Sequence, residues 1–131
     1  MSGIAAVPSK RPTDRFNDII YNVDAINRYT DGMSEEQFLT DKKTIDAVER
    51  CLSRISEAST KLGSLVIRLA PDQPWSAIRG LGNRLRHEYD LVNKSELWNI
   101  IVNDLSSLRS SCEQAILRIH QGLDRDPQPK E

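Results

Sequence analysis

From residue 79 to residue 87 the chain reads Arg79-Gly80-Leu81-Gly82-Asn83-Arg84-Leu85-Arg86-His87, which places three arginines and one of its two histidines in a single short run. An arginine fork matches phosphate oxygens two at a time. A histidine exchanges protons near neutral pH. A base of that kind could deprotonate a ribose 2′-OH, and that oxygen could attack the neighbouring phosphorus while arginine stabilises the charge developing there. The product would be a 2′,3′-cyclic phosphate or its hydrolysis product, formed without a metal. If the run is one helix, a turn of about 100° per residue puts Asn83 and His87 on one face, with Arg84 beside them. Arg79, eight residues before His87, returns near that face, whereas Arg86 points away from it. Glycine costs about 1 kcal/mol against alanine inside a helix. Gly80 and Gly82 therefore imply a close helix approach or a backbone held near a ligand, and a tight helix crossing with nothing bound explains them equally well.

The elements that must carry this run are helical. Residues 1–12, with Pro8 and Pro12, read as a flexible leader, and Thr13 or Asp14 is placed to cap a first helix of about 14–30. Its face is Phe16, Ile19, Ile20, Val23 and Ile26, recurring at steps of three and four. Asp31-Gly32 ends it. Ser34-Glu35-Glu36-Gln37 has the form of a capping box. A long helix over roughly 41–63 carries Ile45, Val48, Leu52, Ile55 and Leu62. Gly63 marks its end, and Leu65 to Leu69 continues as helix. Pro74 starts a helix of about 75–89. Asp90 to Asn93 reads as a turn. The last helix spans about 95–122 on Leu97, Ile101, Leu105, Leu108, Cys112, Ala115 and Ile119. Asp124 to Glu131 reads as a disordered tail. No segment alternates with period two, so the fold class is all-α, a bundle of four to five helices in one domain over 13–123.

Composition narrows the function classes. The chain has 131 residues, with 18 Lys and Arg against 19 Asp and Glu. Overall charge therefore gives no argument for nucleic-acid binding, and only a local basic patch could supply one. Cys51 and Cys112 lack Cys-x-x-Cys spacing and fall on apolar helix faces, so they read as small buried hydrophobes and not as metal ligands. No metal site and no cofactor is expected. No stretch approaches the ~20 apolar residues of a membrane span, and Met1 to Val7 lack the pattern of a signal peptide. A cytoplasmic protein without a membrane partner is expected.

The order and spacing of these blocks resemble the HepT-like branch of the HEPN superfamily over roughly residues 14–120. The blocks are Arg15 with its apolar helix, Ser34 to Asp41, Ile55-Ser56-Glu57-Ala58, Trp75, Gly80, Asn83, His87-Glu88-Tyr89, Leu97-Trp98, and Asp104-Leu105 with Leu108. The resemblance implies an antiparallel HEPN bundle that forms a homodimer, with metal-independent endoribonuclease sites in a cleft at the dimer interface. It implies that the chain is the toxin of a type VII-like HepT/MNT toxin–antitoxin system, with RNA as substrate and a minimal nucleotidyltransferase antitoxin as partner. His87 would be the catalytic histidine of the family's His-x-Tyr. Tyr89 stands where some antitoxins of the family attach AMP, a bulky anion that would block RNA. The family's motif also has an arginine separated from the histidine by four to six residues. Here Gly82 stands in that place while Asn83 keeps the next one. Arg79, separated from His87 by seven residues, lies one beyond the range, and Arg84 and Arg86 are too close. The resemblance therefore makes His87, Arg79 and Asn83 the catalytic candidates, with Arg84 and Arg86 as phosphate-binding candidates.

Gly82 keeps a second reading open, a catalytically weakened or inactive HEPN module that dimerises and binds a nucleotidyltransferase or RNA. A purely structural helical subunit is a third. Trp75 and Trp98 read as packing aromatics, Tyr21 and Tyr29 as amphipathic packing residues, and Asp41-Lys42-Lys43 as a helix start. His120 sits near a helix C-terminus, where a cationic ring suits the dipole. Glu57, in an element similar to the family's Gly-Glu-Ala, reads either as a cleft residue or as an exposed carboxylate.

Overall fold

The computed structural model describes residues 11–87 and 92–125. Among them are seven helices and no strand: α1 (Pro12–Thr30), α2 (Glu35–Leu39), α3 (Lys42–Leu62), α4 (Leu65–Leu69), α5 (Trp75–His87), α6 (Lys94–Asn103) and α7 (Leu105–His120). The all-α bundle expected from periodicity is the observed fold. The helix count exceeds four or five because α2 and α4 are single short turns and the last helix divides in two.

α1 begins at Pro12, two residues earlier than the stripe implied, because proline at the first helical position gives up only an N–H that would lack a partner anyway. Asp14 contributes from inside the helix by accepting the Arg11 backbone N–H at 3.2 Å. Gly32, at φ +74°, closes α1 in the left-handed region. Ser34 and Gln37 form the expected reciprocal box at the start of α2, which buries Phe38. Asp41 caps α3 by accepting the Thr44 N–H at 3.1 Å, a bond that also holds its carboxyl below the usual carboxylate range. Gly63, at φ +61°, follows the last turn of α3.

α3 is the central helix. α1 packs on one side of it, α5 on another, and α7 lies along α1. Ile45, Val48, Leu52, Ile55, Ala58 and Leu62 of α3 are all buried, as their spacing predicts. α7 is pinned to α1 by Arg109, whose Nε and Nη2 donate to the two carboxylate oxygens of Asp24 at 2.7 and 3.1 Å. Trp75 is 2% exposed, and its indole Nε1 donates to Ala70 O at 2.6 Å. Trp98 lies with its ring centroid 5.3 Å from that of Phe38. Both tryptophans are thus packing residues. Tyr21 and Tyr29, by contrast, are largely exposed.

The continuous helix expected over 95–122 breaks at Asp104. Its two halves have different partners: α6 packs Leu97 and Trp98 towards α2, while α7 packs Leu108, Cys112 and Ala115 towards α1. The first two residues of the expected tail, Asp124 and Arg125, accept hydrogen bonds from Arg68 Nη2 at 2.9 and 2.6 Å, which ties them to α4. No described helix is long and apolar enough to cross a membrane. Cys51 and Cys112 are buried and free, and burial pushes the Cys112 thiol up to about 12.

Candidate functional site

The site is built on the packing of α5 against α3. Early in α5, Arg79 Nη2 donates to Ser59 O at 2.7 Å and to Gly63 O at 2.9 Å. These carbonyls lie at the C-terminal end of α3, where the helix dipole favours a cation; Ser59 O also accepts the Gly63 N–H at 3.3 Å. One turn further on, Gly82 meets Ser56, and a Cβ at position 82 would overlap both Ser56 Oγ and Ser56 Cβ. Ser56 Oγ also donates to Arg79 O at 3.4 Å, so positions 79 and 82 of α5 both lie against Ser56 of α3. Of the two readings of the glycines, close helix approach is the observed one for Gly82. Gly80 has open space where its Cβ would be.

This geometry redistributes the arginines. Arg79 was expected to return to the histidine's face, but its guanidinium is held by α3, and its Nε is buried without a partner. Arg84 was expected beside His87. It instead reaches across to α6, donating from Nη2 and Nη1 to the two oxygens of Glu96 at 2.8 and 3.1 Å. Arg86 was expected to point away, yet its Nη2 donates to Asn83 Oδ1 at 3.0 Å. Its Nη1 lies 3.2 Å from where a Cβ on Gly82 would stand. Arg86 therefore folds back over Gly82 and joins the Asn83 side of α5. His87, the last residue of α5, is exposed, as are Asn83 and Arg86, and it makes no hydrogen bond to another described residue. Of the expected constellation, Asn83, Arg86 and His87 share one outer surface. Arg79 and Arg84 are committed elsewhere among the described residues. Tyr89 lies outside the described residues.

A groove of about 550 Å³ opens on the other flank of α5, between α5, α6 and α7. Ile78, Leu81, Ile100 and Leu105 line its floor, and the Arg84–Glu96 pair stands at its edge. Glu57 is exposed on α3, and His120 is exposed at the end of α7. Among the described residues no group of three or more His, Cys, Asp or Glu side chains could hold a metal ion. Sequence reasoning passed over Ser56 as a partner of the site. The only available signal was the small residue in its element, and it took the structure to show that Ser56 faces Gly82.

The fold defines the class, an all-α helical bundle. The model of the ribonuclease HepT-like family matches residues 19–115, and the chain belongs to that family. Similar proteins include a "Probable ribonuclease HepT" of Thermococcus cleftensis, 35% identical over 77% of this chain and 92% of the relative. Another is the "Putative RNase MJ0127" of Methanocaldococcus jannaschii, 33% identical over 92% of this chain and 98% of the relative. No solved structure gives a significant match.

Proposed function

We propose that this protein is an endoribonuclease that cuts RNA without a metal, with His87 as the group that moves the proton. The observation that carries this reading is the position of His87, exposed at the end of α5 next to the Asn83–Arg86 pair. The imidazole takes the proton of a ribose 2′-OH, and O2′ attacks the adjacent phosphorus. The P–O5′ bond breaks, the 5′ oxygen takes a proton from an acid or from water, and a 2′,3′-cyclic phosphate remains. A guanidinium beside the histidine stabilises the extra negative charge on the phosphoryl oxygens. The names of the relatives, a ribonuclease and an RNase, support the substrate class.

The same reading extends to biology. The chain acts as a homodimer with its cleft between two copies, serves as the toxin of a HepT/MNT pair in the cytoplasm, and is neutralised by a minimal nucleotidyltransferase antitoxin through AMP on Tyr89. Support for this part is the family resemblance and the place of Tyr89 two residues after His87. The test is cleavage of an end-labelled RNA in EDTA by protein prepared without the antitoxin. Wild type is expected to cut and His87→Ala to be silent. Equal cutting by both would remove His87 from the chemistry. Intact RNA with folded wild-type protein would favour the second reading, a binding module. The buried contact of Gly82 with Ser56, in the place of the family's arginine, is the specific observation on that side.

A further inference from the structure

We propose that Arg86 is the phosphate-binding arginine of the site, filling from four residues further along α5 the role that Gly82 leaves open. The assignment rests on the endoribonuclease reading above and names the side chain that holds the scissile phosphate of single-stranded RNA beside His87. Three arginines flank the histidine, and the structure separates them by what holds each one. Arg79 is bound to the α3 carbonyls of Ser59 and Gly63. Arg84 forks onto Glu96, whose negative charge opposes a second anion at that guanidinium. Arg86 alone of the three bonds to a neutral side-chain acceptor, Asn83 Oδ1, and it does so at an exposed surface.

The place of Arg86 follows from the helix crossing. Gly82 lies against Ser56 on α3, and Arg86 Nη1 lies 3.2 Å from where a Cβ at 82 would stand. A four-residue step brings a side chain back over the preceding turn, the direction in which helical side chains lean. Asn83 thus orients the guanidinium through its carbonyl oxygen, and its amide N–H groups remain available to donate to the substrate. In this arrangement Asn83 is a positioning residue and Arg86 touches the phosphate.

The test compares four proteins, wild type, Arg86→Ala, Arg86→Lys and Arg54→Ala, on a labelled single-stranded RNA in EDTA, with circular dichroism to establish folding. Arg54 is exposed and two residues, about 200°, around α3 from Ser56, so it controls for the loss of one surface charge. Arg86→Ala is expected to lower kcat/KM by about a hundredfold or more, the scale of losing one donor to a developing oxyanion. Arg86→Lys should recover part of that loss, since lysine keeps the charge but not the fork, and Arg54→Ala should stay within about twofold of wild type. Cutting by Arg86→Ala at the wild-type rate overturns the assignment, and so does an equal loss in Arg54→Ala. If wild type itself does not cut, the nuclease reading has failed, and Arg86 is then judged by fluorescence anisotropy with the same RNA. Binding weakened at least tenfold by Arg86→Ala but not by Arg54→Ala upholds the phosphate contact, and equal binding by all four overturns it.

Discussion

Gly80 and Gly82 lie two residues apart in the same helix, and the structure assigns opposite signs to their replacement by alanine. At position 80 a Cβ meets no heavy atom within 4 Å, so alanine adds only helix propensity. The gain is about 0.5–1 kcal/mol. At position 82 the same gain is set against overlap with Ser56 Oγ and Cβ. The hydroxyl can rotate away, but Ser56 Cβ is fixed to the α3 backbone, and Ser56 is fully buried. α3 and α5 must therefore separate, which belongs at the upper end of the roughly 1–3 kcal/mol range for overpacking. The net expectation is that Gly82→Ala destabilises by about 1–2 kcal/mol while Gly80→Ala stabilises, a difference of about 2–3 kcal/mol between the two variants. Urea unfolding followed at 222 nm measures both. A double-mutant cycle with Ser56→Gly isolates the contact, with an expected coupling of about 1–3 kcal/mol as the removed side chain makes room for the new methyl. If Gly82→Ala is as stable as Gly80→Ala, or if the Ser56 and Gly82 changes simply add, the close crossing of α3 and α5 is wrong.

Three other perturbations test the framework around the site. Arg79→Lys retains a charge but cannot span two carbonyls from a rigid fork, and should cost about 1–3 kcal/mol in urea unfolding; an unchanged midpoint would mean that the α3 terminus does not depend on Arg79. The bond from Arg109 holds the Asp24 carboxyl below the usual carboxylate range. A depressed folded-state pKa adds stability above the unfolded value of about 3.9, which is lost as pH falls through the folded value. Thermal melts of wild type and Asp24→Asn should differ at neutral pH and converge in acid, and a constant gap down to the most acidic melt would refute this. Cys112, with its thiol pushed up to about 12, and Cys51, also raised by burial, should resist a thiol-reactive disulfide at pH 8 in the folded protein and react on unfolding. Fast labelling of the native protein would contradict the burial of both.

The fold was legible wherever one helix face meets one partner. The stripes of α1 and α3, the Ser34–Gln37 box and the left-handed glycines at 32 and 63 all follow from local rules, and the structure keeps them. The break at Asp104 was not legible. The positions Leu97, Ile101, Leu105, Leu108 and Cys112 keep helical spacing straight through it, while the packing partner changes from α2 to α1. The start of α1 was misplaced for a smaller reason, since Asp14 works equally well as a cap before the helix or as an acceptor within its first turn, and Pro12 decides for the second.

For the site, helical phase puts Asn83 and His87 on one face but could not say which neighbouring element claims each arginine. Arg84 has the better phase towards His87, yet Glu96 lies across from it on α6, a pairing twelve residues apart that no periodicity in α5 could reveal. Arg79 and Arg86 lie contrary to their helical phase for a related reason: the end of α3 presents carbonyls to the first, and Asn83 Oδ1 accepts from the second. Ser56 ties these observations together. It occupies the first position of an element that resembles Gly-Glu-Ala, and it faces Gly82, which stands where the resemblance leads one to look for arginine. With Ser56 against Gly82, any side chain at 82 would overlap Ser56 Oγ and Cβ, and the guanidinium that lies against that position comes from the next turn, in Arg86.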